Sequence, residues 1–254
     1  MIHDAAIRSR SFGAAAELYD RSRPSYPSAL IDDLLALTPR HILDVGCGTG
    51  KVSELFVARG ADVLALDPDA RMAAVARRKD IRVEVSAFET WDPAGRVFDL
   101  VVAGQSWHWV SQPQGALQAH KVLQAGGHLA AFWNIGMHEQ QSLDALDPVY
   151  VDVAPTIAET TTALRFSGHQ VEQRHDDEVL AQAGFSPVEV RSYPWSAVYS
   201  AAQWLDYIGT HSDHLSLPEA QRKRLLRGVG DAIDSLGGSL TYHFTTVLVL
   251  ATRL

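Results

Sequence analysis

The stretch Leu43-Asp44-Val45-Gly46-Cys47-Gly48-Thr49-Gly50 constrains this 254-residue chain more than any other feature. It follows a short apolar run, His41-Ile42-Leu43, and precedes a helical pattern over 51–59 that stops at Gly60. A strand that turns through closely spaced glycines into a helix gathers free backbone N–H groups and the positive end of a helix dipole at one point. The missing Cβ atoms let the backbone bend sharply and approach a ligand closely. Such a turn favours an anionic group, a carboxylate or a phosphate.

Spacing separates three nucleotide-binding readings. A phosphate loop of the form GxxxxGK[ST] needs Gly at 45 and Ser or Thr at 52, where the chain has Val45 and Val52. A dinucleotide fingerprint GxGxxG needs Gly at 51, which is Lys51, so an NAD(P)-dependent oxidoreductase fits poorly. An acidic residue followed by GxGxG, the pattern of an S-adenosylmethionine (SAM) site, is met by Asp44, Gly46, Gly48 and Gly50. The plain alternative is a tight strand–helix connection with no ligand. Asp67 lies roughly 20 residues beyond the turn, at the end of a second apolar run, where a carboxylate can accept both hydroxyls of a ribose. Asp67-Pro68-Asp69 also reads as a helix start, with Asp69 as the cap.

Around this turn the chain alternates strand and helix. Strands are expected at 41–45, 62–67, 81–87, 98–105 and 127–133, with helices at 51–59, 69–79 and 113–124. Apolar cores such as Ile42-Leu43 and Leu100-Val101-Val102 suit strands buried on both faces of a parallel sheet. Residues 1–39 read as a helical lid broken at Arg23-Pro24-Ser25-Tyr26-Pro27. Residues 40–134 form the cofactor-binding core, and 135–183 read as a polar, helical cap inserted over the site. In 184–254, strands at 187–199 and 240–252 flank a helix at 218–236 and suggest an antiparallel closure of the sheet. The whole is read as one domain.

A formal net charge of −8 disfavours nucleic acid or an anionic membrane as partner. Cys47 is the single cysteine, so no internal disulfide forms, which suits a reducing, cytoplasmic setting. No apolar stretch suggests a signal peptide or a bilayer span. The expected partner is a small molecule, and the expected state a monomer or homodimer.

Taken in order, Asp44 to Gly50, Asp67, Ser86-Ala87-Phe88-Glu89 and Phe98-Asp99-Leu100-Val101-Val102-Ala103 resemble the successive motifs of class I SAM-dependent methyltransferases. Phe12, Tyr19, Arg23-Pro24 and Tyr26-Pro27, together with Gln105-Ser106-Trp107-His108-Trp109-Val110, resemble the type 11 subgroup that includes trans-aconitate-methyltransferase-like enzymes. The resemblance covers most of the first half of the chain and fades after Ile135. It implies an α/β, Rossmann-like sheet of seven mostly parallel strands, in the order 3-2-1-4-5-7-6 with strand 7 antiparallel, and helices on both faces. It implies SAM as cofactor. Asp44, Gly46, Gly48 and Gly50 would surround its amino-acid part, Asp67 its ribose, and Pro68, Ala87 and Phe88 its adenine. Tyr19 and Arg23 would close over it, with Arg23 a partner for its carboxylate, and Gln105 would stand between cofactor and substrate.

His108, just past the end of a strand, is the candidate base, since an imidazole titrates near neutrality. A carboxylate acceptor would need no base. Trp107, Trp133 and His108 are candidate substrate contacts, and core packing is the competing role for each indole. His169, His175, Asp176, Asp177 and Glu178 match no standard metal-ligand spacing, so no metal is expected. A SAM-binding sensor without transferase activity is the rival function, and an intact cofactor motif does not separate the two.

Overall fold

The computed structural model describes residues 16–160 and 177–254. Among them a 7-stranded sheet runs β3-β2-β1-β4-β5-β7-β6. Its strands are β1 (His41–Val45), β2 (Asp62–Asp67), β3 (Arg82–Val85), β4 (Phe98–Gly104), β5 (Leu123–His138), β6 (Glu189–Ser200) and β7 (Ser239–Thr252). Strands β1 to β5 pair in parallel, and β7 is antiparallel to both β5 and β6. Order and directions agree with the sequence-based expectation.

The described helices are α1 (Ala16–Ser22), α2 (Ser28–Leu35), α3 (Lys51–Val57), α4 (Ala70–Arg77), α5 (Gln114–Val122), α6 (Gln140–Val153), α7 (Pro155–Thr160), α8 (Asp177–Gln182), α9 (Ala201–Ile208), α10 (Ser212–Leu215) and α11 (Glu219–Ser235). Strand periodicity explains how they cover the sheet. Ile42, Leu100, Val102, Ala130 and Phe132 face one way and pack with Leu30, Ile31 and Leu34 of α2 and Val52 and Phe56 of α3. Their neighbours Leu43, Val101, Ala103, Leu129 and Ala131 face the other way, against Ala116 and Ala119 of α5 and Leu180 of α8. With both faces covered, all these side chains are buried.

Two expectations need correction. First, β5 does not stop at Trp133. It continues to His138, and Ile135 to His138 pair with Thr245 to Tyr242 of β7. The pairing of β4 with β5 ends at Gly104 and Phe132, so β5, β7 and β6 project beyond the parallel part. Second, the cap is not a simple insertion at 135–183. Its core joins Leu146 and Tyr150 of α6 to Trp204 and Tyr207 of α9, Leu225 and Val229 of α11, and Tyr242 and Phe244 of β7. Helix α8 belongs instead to the main core, through Leu180. The α9 start is locally encoded: Ser200 and Gln203 form a capping box.

Candidate functional site

The glycine turn sits at the C-terminal ends of β1, β2 and β4, where open parallel sheets bind ligands. Cys47 N–H donates to the Leu66 carbonyl (2.9 Å), and Gly48 N–H to Asp67 Oδ2 (2.7 Å), so β2 holds the turn in place. Gly46, Gly48 and Gly50 all have positive φ, and their surroundings differ. A Cβ on Gly46 would lie 2.6 Å from Ser106 Cβ, and one on Gly50 2.4 Å from Ile81 Cδ1. Both are required by the protein's own packing. A Cβ on Gly48 would meet only Met72 Cε, at 3.6 Å, so the turn is open at that residue. Gly50→Val is accordingly expected to destabilise the fold by roughly 2–5 kcal/mol, as strain and overpacking combine, read as a lowered denaturant midpoint.

Two carboxylates underlie the turn. Asp44 is 1% exposed; Ser53 Oγ donates to its Oδ2 (2.6 Å), while Oδ1 has no partner among the protein's atoms. Burial pushes Asp44 up to about 7, against the bonds from Ser53, and the nearby charge of Asp67 adds to the effect. Asp67 accepts Asp69 N–H on Oδ1 (2.8 Å) and Gly48 N–H on Oδ2, and burial pushes it up to about 6 against those two bonds. Asp69 caps α4 by accepting Arg71 N–H, as the sequence suggested. Buried and destabilised in their charged form, both carboxylates are suited to a cationic or hydroxyl-bearing ligand.

The other expected site residues divide by burial. Pro68, Ala87 and His108 are exposed, and Tyr19, Arg23, Gly46, Gly48 and Gln105 are half-buried. Phe88 is placed in the main core rather than at a ligand face: it is 4% exposed and its ring is 6.3 Å from that of Trp107. Trp107 is likewise in that core, correcting its expected exposure to substrate. Trp133 is buried too, yet its Nε1–H donates to His108 Nδ1 (3.1 Å). Gln105 has φ 57°, unusual for a residue with a side chain, and is held by its N–H to the Phe132 carbonyl and by Nε2 to the Asn134 carbonyl.

Arg23 stands at a junction. Its Nε and Nη2 donate to Thr210 Oγ1 (2.9 Å) and the Thr210 carbonyl (3.0 Å), and its guanidinium lies over the rings of Tyr19 and Tyr207. The cap therefore holds the guanidinium in place. Helix α1 bridges both halves of the molecule, with Asp20 paired to Lys79 and Arg21 to Asp206. Thr210, Tyr207 and Asn134 were not foreseen, and no local motif marks them. Arg23 and Thr210 are 187 residues apart.

Phe12, His169, His175 and Asp176 lie outside the described residues. Asp177 and Glu178 are exposed in α8. His211, Asp213 and His214 bring potential metal-ligand atoms within 4.8 Å of one another. His214, however, uses Nδ1 on Asp213 (2.7 Å) and Nε2 on Tyr150 (2.9 Å), so both of its ring nitrogens are already engaged by protein groups. No described helix is long and apolar enough to cross a membrane.

Residues 43–131 match the family described as "Methyltransferase domain", and this match includes the turn, both carboxylates and β4. These residues form a class I methyltransferase domain. The domain is similar to that of an uncharacterized methyltransferase of Mycobacterium tuberculosis, 40% identical over 129 residues. That alignment spans 50% of this chain and 53% of the relative, about half of each. A trans-aconitate 2-methyltransferase of Rhizobium meliloti is 25% identical over 92% of this chain and 94% of its own length. Among solved structures, a protein of Anaeromyxobacter dehalogenans described as a type II methyltransferase superposes with a TM-score of 0.64. It is 22% identical, over 90% of this chain and 97% of that one, and so shares the fold that surrounds the methyltransferase domain.

Proposed function

We propose that this protein transfers the methyl group of SAM to an oxygen of a small-molecule acceptor, with a carboxylate favoured over a hydroxyl. The observation that carries the cofactor reading is the pair of buried carboxylates around an open glycine: Asp44 with one oxygen unpaired, and Asp67 at the end of β2. Asp44 and the backbone at Gly46 and Gly48 would hold the amino-acid part, and Asp67 the ribose hydroxyls. Pro68 and Ala87, exposed at the rim, would flank the adenine. When bound, SAM supplies a methyl group on a positively charged sulfur, already activated for displacement.

The chain's own residues then align the acceptor and exclude water, which can contribute roughly 7–11 kcal/mol in well-oriented cases. The Trp133 hydrogen bond occupies the Nδ1 lone pair of His108 and leaves the proton on Nε2. In that form Nε2–H can donate a hydrogen bond toward the acceptor. A carboxylate, which arrives already ionised, suits such a residue. The relatives named trans-aconitate 2-methyltransferase support the same acceptor class. Their names, and those of the other matched methyltransferases, also favour transfer over a binding-only role.

Calorimetry with SAM tests the cofactor, and release of S-adenosylhomocysteine over a panel of carboxylates and phenols tests the acceptor. Absence of SAM binding at millimolar concentration would overturn the proposal. SAM affinity is also expected to fall as the pH drops from about 8 to about 5. Asp67, with its transition raised to about 6, is ionised above that window and protonated below it. A protonated carboxyl accepts the two ribose hydroxyls poorly. Asp67→Asn should reduce this dependence, leaving the part carried by Asp44, whose transition is raised to about 7.

A further inference from the structure

The core of the cap contains polar atoms that packing alone does not explain. Trp204 is 3% exposed and His138 is 6% exposed, yet Trp204 Nε1 and His138 Nδ1 have no hydrogen-bond partner among the protein's atoms, and neither has His211 Nε2. Buried polar groups are nearly always paired, because an unmet donor or acceptor is costly in an apolar interior. These three do not lie apart. The His138 and Trp204 rings are 4.9 Å apart, Trp204 and Tyr207 5.2 Å, and Tyr207 and His211 4.7 Å. They therefore follow one aromatic path from the end of β5, across α9, to the turn before α10.

The path leads toward the methyltransferase site. Tyr207 lies under the guanidinium of Arg23, which is also over Tyr19 of the lid helix. All three unpaired atoms belong to residues beyond 131, where the match to the methyltransferase domain ends. The chemistry of the path is neutral at its His138–Trp204 end, whereas Arg23 and Asp213 bring charge to the His211 end. Burial pushes His138 down to about 4, so its imidazole is uncharged near neutral pH, while burial holds His211 well below its ordinary value, with Arg23 lowering it further and Asp213 opposing. A formal charge placed between His138 and Trp204 would be desolvated beside neutral groups. An indole N–H requires an acceptor, and rings on Tyr199, Tyr207 and Tyr242 supply flat apolar walls.

We infer that His138, Trp204 and His211 form the subsite for the part of the methyl acceptor remote from its reacting oxygen, and that this part is neutral, unsaturated or aromatic, and carries a hydrogen-bond-accepting oxygen. This rests on the methyltransferase reading for the word acceptor, but not for the existence of the subsite. Trp204 Nε1–H donates to the ligand oxygen, the two imidazoles complete its hydrogen bonds, and the tyrosine rings that pack against Trp204 border the molecule.

The neutral phenol p-cresol is a suitable probe. In protein carrying 15N-labelled tryptophan, p-cresol is expected to shift the Trp204 indole N–H signal, assigned by its loss in Trp204→Phe, in a saturable way. Trp204→Phe and His211→Phe should each weaken p-cresol binding by about tenfold or more while leaving SAM affinity unchanged. Should Trp204→Phe fail to fold, the wild-type shift and the His211→Phe affinity still decide the matter. A Trp204 signal unmoved by p-cresol, or probe affinity unchanged in both variants, overturns the inference. So does a crystal structure in which buried water alone satisfies the three atoms in the presence of p-cresol. SAM binding without probe binding defeats the subsite and spares the methyltransferase reading; probe binding without SAM binding does the reverse.

Discussion

Asp67→Asn should lower SAM affinity by about 10- to 100-fold and leave the thermal midpoint nearly unchanged, whereas Asp67→Ala should lower both. The difference lies in what the carboxylate already holds. Its two oxygens accept the N–H groups of Gly48 and Asp69, and the residue is 7% exposed. Asparagine keeps one acceptor oxygen and removes a carboxylate that burial disfavours, so the losses and gains in stability largely offset. Alanine leaves two N–H groups without their partner, at about 1–3 kcal/mol each where water cannot replace it. It also frees the turn at the one glycine that is open. Hydrogen bonds from two hydroxyls to a charged oxygen are worth about 1.5–3 kcal/mol each, so losing the charge and one acceptor accounts for the drop in affinity. Calorimetry and differential scanning of both variants read the two effects separately. Wild-type SAM affinity in Asp67→Asn would remove Asp67 from the cofactor site and reduce it to a brace for the turn.

The parallel half of the molecule could be read from sequence because its signals are local. Ile42 and Leu43 are adjacent and both 0% exposed, which only a strand covered on both faces allows. Asp44 and the glycines carry their spacing in the primary structure, and Asp69 caps α4 from within its own turn. The projecting half was not readable in that way. Ile135, Gly136 and His138 read as the start of a polar, helical cap, yet they continue β5 because β7 pairs with them from more than 100 residues away. Gly136 is part of that arrangement: a Cβ there would lie 2.1 Å from Tyr242 Cε1. The strand therefore admits a glycine because a tyrosine of its partner fills the space, and nothing near residue 136 announces it. Phe88 shows the same limit at the site. Its place in the motif suggests a ligand face, but the short 3-10 turn at Phe88–Thr90 directs the ring into the core. Burial and spacing are separate facts, and only spacing is visible before the chain folds.

The role of His108 can be decided by asking which substitution preserves activity. His108→Ala should lower kcat by about 100-fold, within the range associated with a lost hydrogen-bond donor at a reacting centre, and leave SAM affinity unchanged. His108→Gln should retain activity to within about tenfold of wild type. The glutamine amide oxygen can accept the Trp133 N–H, as His108 Nδ1 does at 3.1 Å, and its NH2 group can donate toward the acceptor. It has no basicity, so a proton-abstracting His108 would make Gln as damaging as Ala. Trp133→Phe supplies an independent reading. Trp133 is 2% exposed, and a phenyl ring fills much of its site but removes the N–H that His108 Nδ1 accepts. A proton can then be accepted at Nδ1, and kcat should gain a pH dependence that the wild type lacks. Equal loss of turnover in His108→Gln and His108→Ala, with a wild-type profile that already follows an imidazole titration, would restore His108 as the base. That result would in turn move the acceptor from a carboxylate to a hydroxyl, because only a protonated nucleophile needs one.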